Sequence, residues 1–170
     1  MKKQPTYLYL GAAGLIALLV IVVISSSGAS ETPAAAAISD AMLTVSETRW
    51  DFGDISMASG KTTKEISLTN TSASPLTITQ MQTSCMCTTA QIVHADGSKS
   101  ASKGMVGHGG GSAALSETIS AGETATLEVT FDPNAHGPEA TGPITRMVML
   151  GTNSQAQPEI ELTFSGNVTK

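Results

Sequence analysis

Aromatic residues, cysteines and basic residues are all scarce in this sequence of 170 residues. One Trp, two Tyr and three Phe are too few to fill a core, so that role falls to Ile, Leu, Val and Met. The nine Lys and Arg residues are outnumbered by fourteen Asp and Glu residues and form no cluster. Because binding to nucleic acid requires concentrated positive charge, we expect no nucleic-acid partner.

The signatures of common enzyme classes are missing as well. The sequence contains no HExxH, P-loop or Rossmann motif, and its acidic residues are scattered. Residues 108–111 read His-Gly-Gly-Gly, as in lipase oxyanion holes, but no G-x-S-x-G nucleophile elbow accompanies them. We therefore expect that the protein is not an enzyme.

One long apolar run is present, where Lys2 and Lys3 precede the uncharged residues from Tyr7 to Ile24. It is about the minimum length for a helix that crosses roughly 30 Å of hydrocarbon, and it exceeds the roughly 7–15 apolar residues of a signal peptide. Residues 1–24 are therefore predicted to form an uncleaved transmembrane helix with its N-terminus in the cytoplasm.

This helix would anchor the chain in the membrane, with the C-terminal domain outside the cytoplasm, in the periplasm or at the cell surface. Cleavage near the small residues 34–37 is the alternative, and it would make the protein secreted.

Beyond the apolar run, the composition divides the chain into a tether and a domain. Residues 25–40 are rich in Ser and Ala and lack an apolar period, which is typical of a flexible tether. Residues 41–170 have the length of one domain, and apolar and polar residues alternate along them with the period of half-buried strands. Residues 95–116 interrupt this rhythm with Gly, Ser and Lys, which predicts a long Gly-rich loop.

The alternation, together with the turn residues that separate the alternating stretches, predicts eight strands. They are Met42–Ser46, Arg49–Phe52, Lys64–Asn70, Leu76–Met81, Thr88–Val93, Thr124–Phe131, Ile144–Gly151 and Glu159–Val168. Short strands at this spacing, with no helical period after Ile24, predict an all-β antiparallel sandwich of seven to eight strands after the transmembrane helix. A closed barrel is the alternative architecture.

Several short motifs occur in a defined order along the domain. They are Trp50–Ile55 (WDFGDI), Leu68–Ser72 (LTNTS), Pro75–Ile78 (PLTI), Thr83–Ala90 (TSCMCTTA), Ala121–Glu123 (AGE), Phe131–Pro133 (FDP), His136–Gly137 (HG), Thr152–Asn153 (TN) and Gly166–Val168 (GNV). Their order and spacing resemble the bacterial domain-of-unknown-function 1573 family. The resemblance implies an immunoglobulin-like sandwich, related to the abnormal-spindle/Hydin and major-sperm-protein domains, and an exported location; it implies no established activity.

The chain departs from that family pattern in two places. Met86 stands between the cysteines where Gly is common, and the loop that carries Met105 and His108 is an addition. The added loop is where a specific function could have been acquired.

Cys85 and Cys87 are the only two cysteines and the residues best suited to chemistry. In strand geometry both thiols point to one face, and the Cα atoms are roughly 6.6 Å apart at about 3.3 Å per residue. This separation is close to the upper limit of about 6.8 Å for a disulfide, and it also suits two thiolates that bind one soft ion. Cysteines of an exported chain are normally paired or bound to a ligand, so a Cys85–Cys87 disulfide and a copper site both stay open.

A copper site needs further soft donors from elsewhere in the chain. The predicted ligands are Cys85, Cys87, Met105, His108 and His136, and His94 is a further candidate. A thiol-redox enzyme is disfavoured, because a CxC pair lacks the helix N-terminus that lowers the thiol pKa in thioredoxin-like motifs.

Three functions agree with these features. The first is a membrane-tethered, non-catalytic binding or scaffolding module of the cell envelope, which contacts a protein partner through sheet edges or end loops. The second is a soft-metal (copper) binding protein that uses the cysteine pair with His and Met from loops. The third is an adhesion or assembly protein that adds a partner strand to an exposed sheet edge.

Overall fold

The structure, a computed structural model, describes residues 37–170. These residues contain nine β-strands. In chain order they are β1 (Leu43–Val45), β2 (Arg49–Ser56), β3 (Thr62–Asn70), β4 (Leu76–Thr83), β5 (Thr88–Val93), β6 (Ala114–Ile119), β7 (Thr124–Phe131), β8 (Gly142–Thr152) and β9 (Glu159–Thr169). A short 3₁₀ helix, Met57–Ser59, follows β2.

The strands form two sheets that enclose one core. The first sheet has the order β1-β3-β7-β5, and the second has the order β2-β9-β8-β4-β6. Neighbouring strands are antiparallel, except that β2 runs parallel to β9. The predicted all-β sandwich is confirmed. The prediction of seven to eight strands in a wholly antiparallel arrangement was wrong, because the described residues contain nine strands and one parallel pair.

The additional strand is β6, and its first residues belong to the predicted Gly-rich loop at 95–116. Within residues 37–170, β6 pairs with β4 alone, and Ile119 is its only fully buried residue. An edge strand of this kind buries few side chains, so its apolar alternation is too weak to distinguish it from a polar loop.

The apolar residues that alternate with polar ones along the strands meet in the core, as the two-residue period of a strand requires. Leu68 on β3 and Leu127 on β7 are completely buried within the first sheet, and Leu162 on β9 is completely buried within the second. The four aromatic side chains of the domain pack together at one end of this core. Phe164 stacks on Trp50 with ring centroids 5.3 Å apart, and it makes edge contacts with Phe52 at 5.3 Å and Phe131 at 5.8 Å.

The predicted Gly-rich loop does not hang free from the sandwich, because its first part folds along the outer edge of β5. Ala90 and Lys103 exchange two backbone hydrogen bonds of 2.8 Å, and the Ser100 N–H donates to the Ile92 carbonyl. Ser100 Oγ in turn accepts a hydrogen bond from the Ile92 N–H at 2.9 Å. The loop therefore satisfies backbone groups that an edge strand would otherwise present to solvent.

The predicted transmembrane helix at residues 1–24 lies outside the described residues, and so does the tether from residue 25 to residue 36. The last residues of the tether lie against the domain, where Ser39 forms a parallel bridge with Ser154. Between residues 37 and 170, no helix has the length and apolar character needed to cross a membrane.

Candidate functional site

The two cysteines lie in the turn between β4 and β5, not in a strand. The Thr88 N–H donates to the Cys85 carbonyl at 3.1 Å and closes the turn, and the Thr83 hydroxyl donates to the same carbonyl at 3.0 Å. The turn brings the Cα atoms of Cys85 and Cys87 to 5.3 Å, shorter than strand geometry predicts and well within disulfide range. The two residues form a disulfide.

The turn is fixed to the second sheet through β8. The Ser84 N–H donates to the Met147 carbonyl at 3.0 Å, and the Met147 N–H donates to Ser84 Oγ at 2.9 Å. The residue before Met147 on β8 is Arg146, so this pair of bonds holds the guanidinium beside the cysteines. Arg146 Nε donates to Cys87 Sγ at 3.3 Å.

His136 approaches the disulfide from the loop that follows β7. The Asp132 N–H donates to the Cys87 carbonyl at 2.8 Å, and Asp132 Oδ1 accepts from the Asn134 N–H at 2.9 Å. Gly137 has a φ of +87°, which glycine adopts without strain, and its N–H donates to the Asn134 carbonyl. This folded loop places His136 Nε2 3.1 Å from Cys85 Sγ.

The two sulfurs therefore have different surroundings. Cys85 is 9% exposed and lies beside the exposed imidazole of His136, whereas Cys87 is 2% exposed and lies beside Arg146 and the Thr88 hydroxyl. His136 and Arg146 both line a cavity of about 280 Å³, which Ile144 and Val168 also line. The disulfide thus lies beside an open groove with one basic and one imidazole side chain in its wall.

Three of the five predicted metal ligands come together in the structure. The ligand atoms of Cys85, Cys87 and His136 all lie within 4.8 Å of one another. Met105 and His108 instead line a separate cavity of about 300 Å³, together with Met86, which is 48% exposed. His108 thus lies outside the cluster of Cys85, Cys87 and His136, and Met105 lines the same cavity as His108.

His94 takes part in a different arrangement. Its Nε2 atom lies 3.0 Å from Glu117 Oε2 and its Nδ1 atom lies 3.2 Å from Glu123 Oε1. The hydrogen bond with Glu117, supported by that with Glu123 and by the charges of both carboxylates, raises the pKa of His94 above its ordinary value of 6.5 against the opposing effect of burial. His94 therefore joins the end of β5 to β6 and to the turn before β7, away from the cysteine pair.

Arg146 is the residue of this site that the sequence did not predict. It lies in the predicted strand Ile144–Gly151, where every other residue is uncharged. A lone charged residue in an otherwise uncharged strand needs a partner, and this was the signal that the sequence offered. The partner itself could not be read from the sequence, because Arg146 and Cys87 are brought together by tertiary packing alone.

The comparison with protein families matches residues 43–104 to the family described as "Protein of unknown function (DUF1573)". The resemblance predicted from the motifs is thereby confirmed over residues 43–104. No curated protein matches the chain.

The chain is similar to several solved structures. A protein of unknown function from Porphyromonas gingivalis W83 has a TM-score of 0.57 and 18% sequence identity, over 81% of this chain and 51% of that chain. The chain therefore spans about half the length of that protein. The ASH / PapD-like domain 7 of human CEP192 has a TM-score of 0.46 and 10% identity, over 75% of this chain and 85% of that chain.

Proposed function

We propose that this chain, whose residues 43–104 match the DUF1573 family, is a membrane-tethered, non-catalytic binding or scaffolding module of the cell envelope. The observation that carries the proposal is the outer edge of β6. In the described part of the chain, β6 has a strand partner on one side only, whereas loop residues cover the corresponding edge of β5. An unpaired strand edge is a surface on which proteins recruit partners.

The disulfide supports a location outside the cytoplasm. Disulfides persist in oxidising compartments such as the periplasm and the cell surface, and thiols are kept reduced in the cytosol. The apolar run from Tyr7 to Ile24 supports attachment to a membrane. Fractionation of cells that express the full chain tests both: the chain should sediment with membranes and resist alkaline carbonate, and deletion of residues 7–24 should abolish this behaviour. Recovery of the full chain in the soluble cytosolic fraction contradicts the proposal.

Site-specific photo-crosslinking tests the binding surface. Ala114 is exposed at the start of β6, whereas Glu161 is exposed on β9, which has strand neighbours on both sides. A photo-reactive residue at position 114 should capture a discrete protein partner in intact cells, and the same residue at position 161 should capture much less. Equal capture at the two positions would show that the β6 edge is not the binding surface.

An adhesion or assembly protein would use the same edge by adding a partner strand to β6. Amide hydrogen exchange on the captured complex distinguishes this role from contact through loops. Strand addition protects backbone N–H groups of residues 114–119 that exchange in the free protein, because each new ladder bond removes an amide from solvent. Contact through loops leaves the exchange of these amides unchanged.

Soft-metal binding is a second candidate function, and the cluster of Cys85, Cys87 and His136 favours it. The ligand atoms of these residues lie within 4.8 Å of one another in the disulfide form. Reduction of the disulfide turns the two sulfurs into thiolates, and two thiolates with one imidazole are a donor set that suits Cu(I). The two thiolates must be free, so this function requires the reduced form of the protein.

Competition with a Cu(I) chelator tests the metal hypothesis on the reduced full chain. The variants Cys85→Ser, Cys87→Ser and His136→Ala should each weaken Cu(I) binding, and His108→Ala is the matched control because His108 lies in the other cavity. We expect about tenfold or greater weakening in the first three variants. If His136→Ala and His108→Ala give the same competition curve as the unaltered chain, the proposed ligand set is wrong.

A further inference from the structure

The surroundings of the disulfide suit a chemical role that goes beyond binding. We propose that Cys85–Cys87 is a redox-active disulfide that oxidises a protein dithiol, with attack at the sulfur of Cys85 and with Arg146 stabilising the departing thiolate of Cys87. The exchange is stoichiometric, so it is compatible with a module that holds its partner and performs no turnover.

The first step of the argument is that the disulfide contributes little as a structural link. It joins residues only two positions apart, and the entropic stabilisation by a disulfide grows with the length of the loop that it closes. The turn has its own supports, since the Thr88 N–H donates to the Cys85 carbonyl and Ser84 is bonded to Met147 through both its N–H and its hydroxyl. A disulfide that the fold does not need is free to open and close.

The second step is the position of Arg146. A thiol–disulfide exchange releases one sulfur as a thiolate, and a nearby cation stabilises that charge and speeds its departure. Arg146 Nε lies 3.3 Å from Cys87 Sγ and the Thr88 hydroxyl lies 3.7 Å from it. A guanidinium keeps its positive charge at all physiological pH values. Cys87 is therefore the better leaving group of the two.

The third step is access. Cys87 is 2% exposed and Cys85 is 9% exposed, so an incoming thiol reaches Cys85 more easily. Cys85 Sγ also lies 3.1 Å from Nε2 of the exposed His136, which lines the adjacent groove with Ile144 and Val168. The groove offers an apolar wall to a partner segment that carries a cysteine. The asymmetry in access and the asymmetry in charge select the same direction of attack.

The reaction balances without any further reagent. A thiolate of the partner attacks Cys85 Sγ, a bond forms between these two sulfurs, and the Cys85–Cys87 bond breaks with its electron pair on Cys87. The second thiolate of the partner then attacks its own sulfur in the mixed disulfide and releases Cys85. The partner loses two electrons and gains a disulfide, and Cys85 and Cys87 take up the two protons that the partner thiols lost.

This role differs from an expectation drawn from the sequence. A CxC pair was disfavoured as a redox site because it lacks the helix N-terminus that stabilises a thiolate in thioredoxin-like motifs. The structure places two nitrogen-containing side chains at the sulfurs instead, Arg146 at Cys87 and His136 at Cys85. These side chains stabilise the thiolate in place of a helix N-terminus.

Trapping of the mixed disulfide tests the direction of attack. The oxidised full chain in mild detergent is mixed with reduced glutathione as the probe, quenched in acid, alkylated and digested for mass spectrometry. Glutathione should be attached to Cys85 in large excess over Cys87. Attachment mainly to Cys87, or no attachment at either sulfur, overturns the proposal.

The role of Arg146 is tested by equilibration in glutathione buffers. Arg146→Met should shift the equilibrium towards the disulfide by about tenfold, because the thiolate form loses a charged hydrogen-bond donor. Arg146→Lys keeps the charge and should recover most of the shift. Arg49→Met is the matched control, since Arg49 is exposed on β2 and is not among the hydrogen-bond partners of either sulfur.

These measurements separate the inference from the other proposals. They are made in the presence of a metal chelator, so copper binding does not contribute, and they require no envelope partner. An unchanged equilibrium in Arg146→Met overturns the inference while leaving the binding surface on β6 untouched. Because Arg146→Lys keeps the positive charge, its recovery attributes the effect of Arg146→Met to the loss of that charge.

Discussion

The aromatic cluster in the core is centred on the side chain of Phe164. This side chain is completely buried, and it touches each of the other three aromatic side chains of the domain, Trp50, Phe52 and Phe131. Phe131 is also the last residue of β7, directly before the loop that carries His136. Packing around Phe164 therefore connects the core with the loop of the candidate site.

Replacement of Phe164 by Ala should lower the free energy of unfolding by about 3–5 kcal/mol, the usual cost of a large cavity in a packed core. Urea unfolding followed by the fluorescence of Trp50, the only Trp of the chain, measures this change directly. Phe164→Leu fills more of the space and should cost less. Equal loss in both variants contradicts a packing role for the ring.

The ion pairs of His94 give the domain a dependence on pH. Since the pKa of His94 is raised in the folded state, its stabilising effect is complete below 6.5 and is lost as the pH rises through the higher folded pKa. The pKa of Glu123 is lowered, first by the Ser120 N–H and then by His94, so its contribution is present above 4.5 and is lost as the pH falls through the lower folded pKa.

His94→Gln should consequently reduce stability most between pH 4.5 and 6.5, where His94 is protonated and Glu123 is ionised. The urea midpoints of the unaltered chain and of His94→Gln should converge as the pH is raised well above this window. A difference that stays constant with pH would show that the ion pairs do not cause it.

The sequence predicted part of the candidate site at this scale. Cys85, Cys87 and His136 were selected because they are soft donors near loops, and the structure brings them together. Met105 and His108 satisfied the same chemical criterion, but their loop folds along β5 and lines another cavity. The sequence identifies the side chains that can bind a soft metal, whereas the distance between their loops depends on long-range packing.

Among the elements, the loop that covers the edge of β5 depends on a close approach between two of its own segments. A Cβ atom at Gly110 would lie 2.5 Å from the Gly104 carbonyl carbon and 2.5 Å from the Met105 carbonyl oxygen. Backbone atoms cannot move aside as a flexible side chain can, so a residue larger than Gly at this position forces the backbone to shift. Gly104 faces the same crossing, but the nearest atoms to a Cβ there are at 3.5 Å, an ordinary contact.

Gly110→Ala should therefore destabilise the loop by about 1–3 kcal/mol, and Gly104→Ala, its matched control, should have little effect. Hydrogen exchange at the backbone amides of Ala90 and Lys103, which bond to each other across the loop and β5, reports the change locally. Faster exchange in Gly104→Ala than in Gly110→Ala would contradict this account.

The strands themselves were predicted to different degrees. Strand β7 has the bounds that the alternation predicts, because every second side chain from Ala125 to Phe131 is buried and those between them are partly buried. Strand β2 extends to Ser56, beyond the predicted end at Phe52. Its register against β9 shifts between Asp51 and Asp54, and Gly53 has a φ of +65° in this bulge, which interrupts the alternation that the prediction relied on.

For the whole molecule, reduction of the disulfide should leave the sandwich folded. The bond closes a loop of only two positions, so its entropic contribution is roughly 1.5 kcal/mol, a small part of the total stability of a domain. Urea unfolding should show one cooperative transition with reductant and one without it. The two free energies of unfolding should differ by about this amount.

The double variant Cys85→Ser, Cys87→Ser is the control for this measurement, because its transition should not respond to reductant. Loss of the cooperative transition on reduction of the unaltered chain would identify the disulfide as a structural requirement, and it would remove a premise of the redox inference.

The place of β9 in its sheet also governs when the domain can form. β9 lies between β2 and β8, so a strand near the start of the domain pairs with the strand at its end, about a hundred residues later in the chain. Such pairing across a long sequence separation is slow, because loop-closure entropy must be overcome before any contact forms. As a ribosome delivers the chain from its N-terminus, the five-stranded sheet cannot close until residues 159–169 have been synthesised. The domain consequently completes its fold late, only after its last strand has been made.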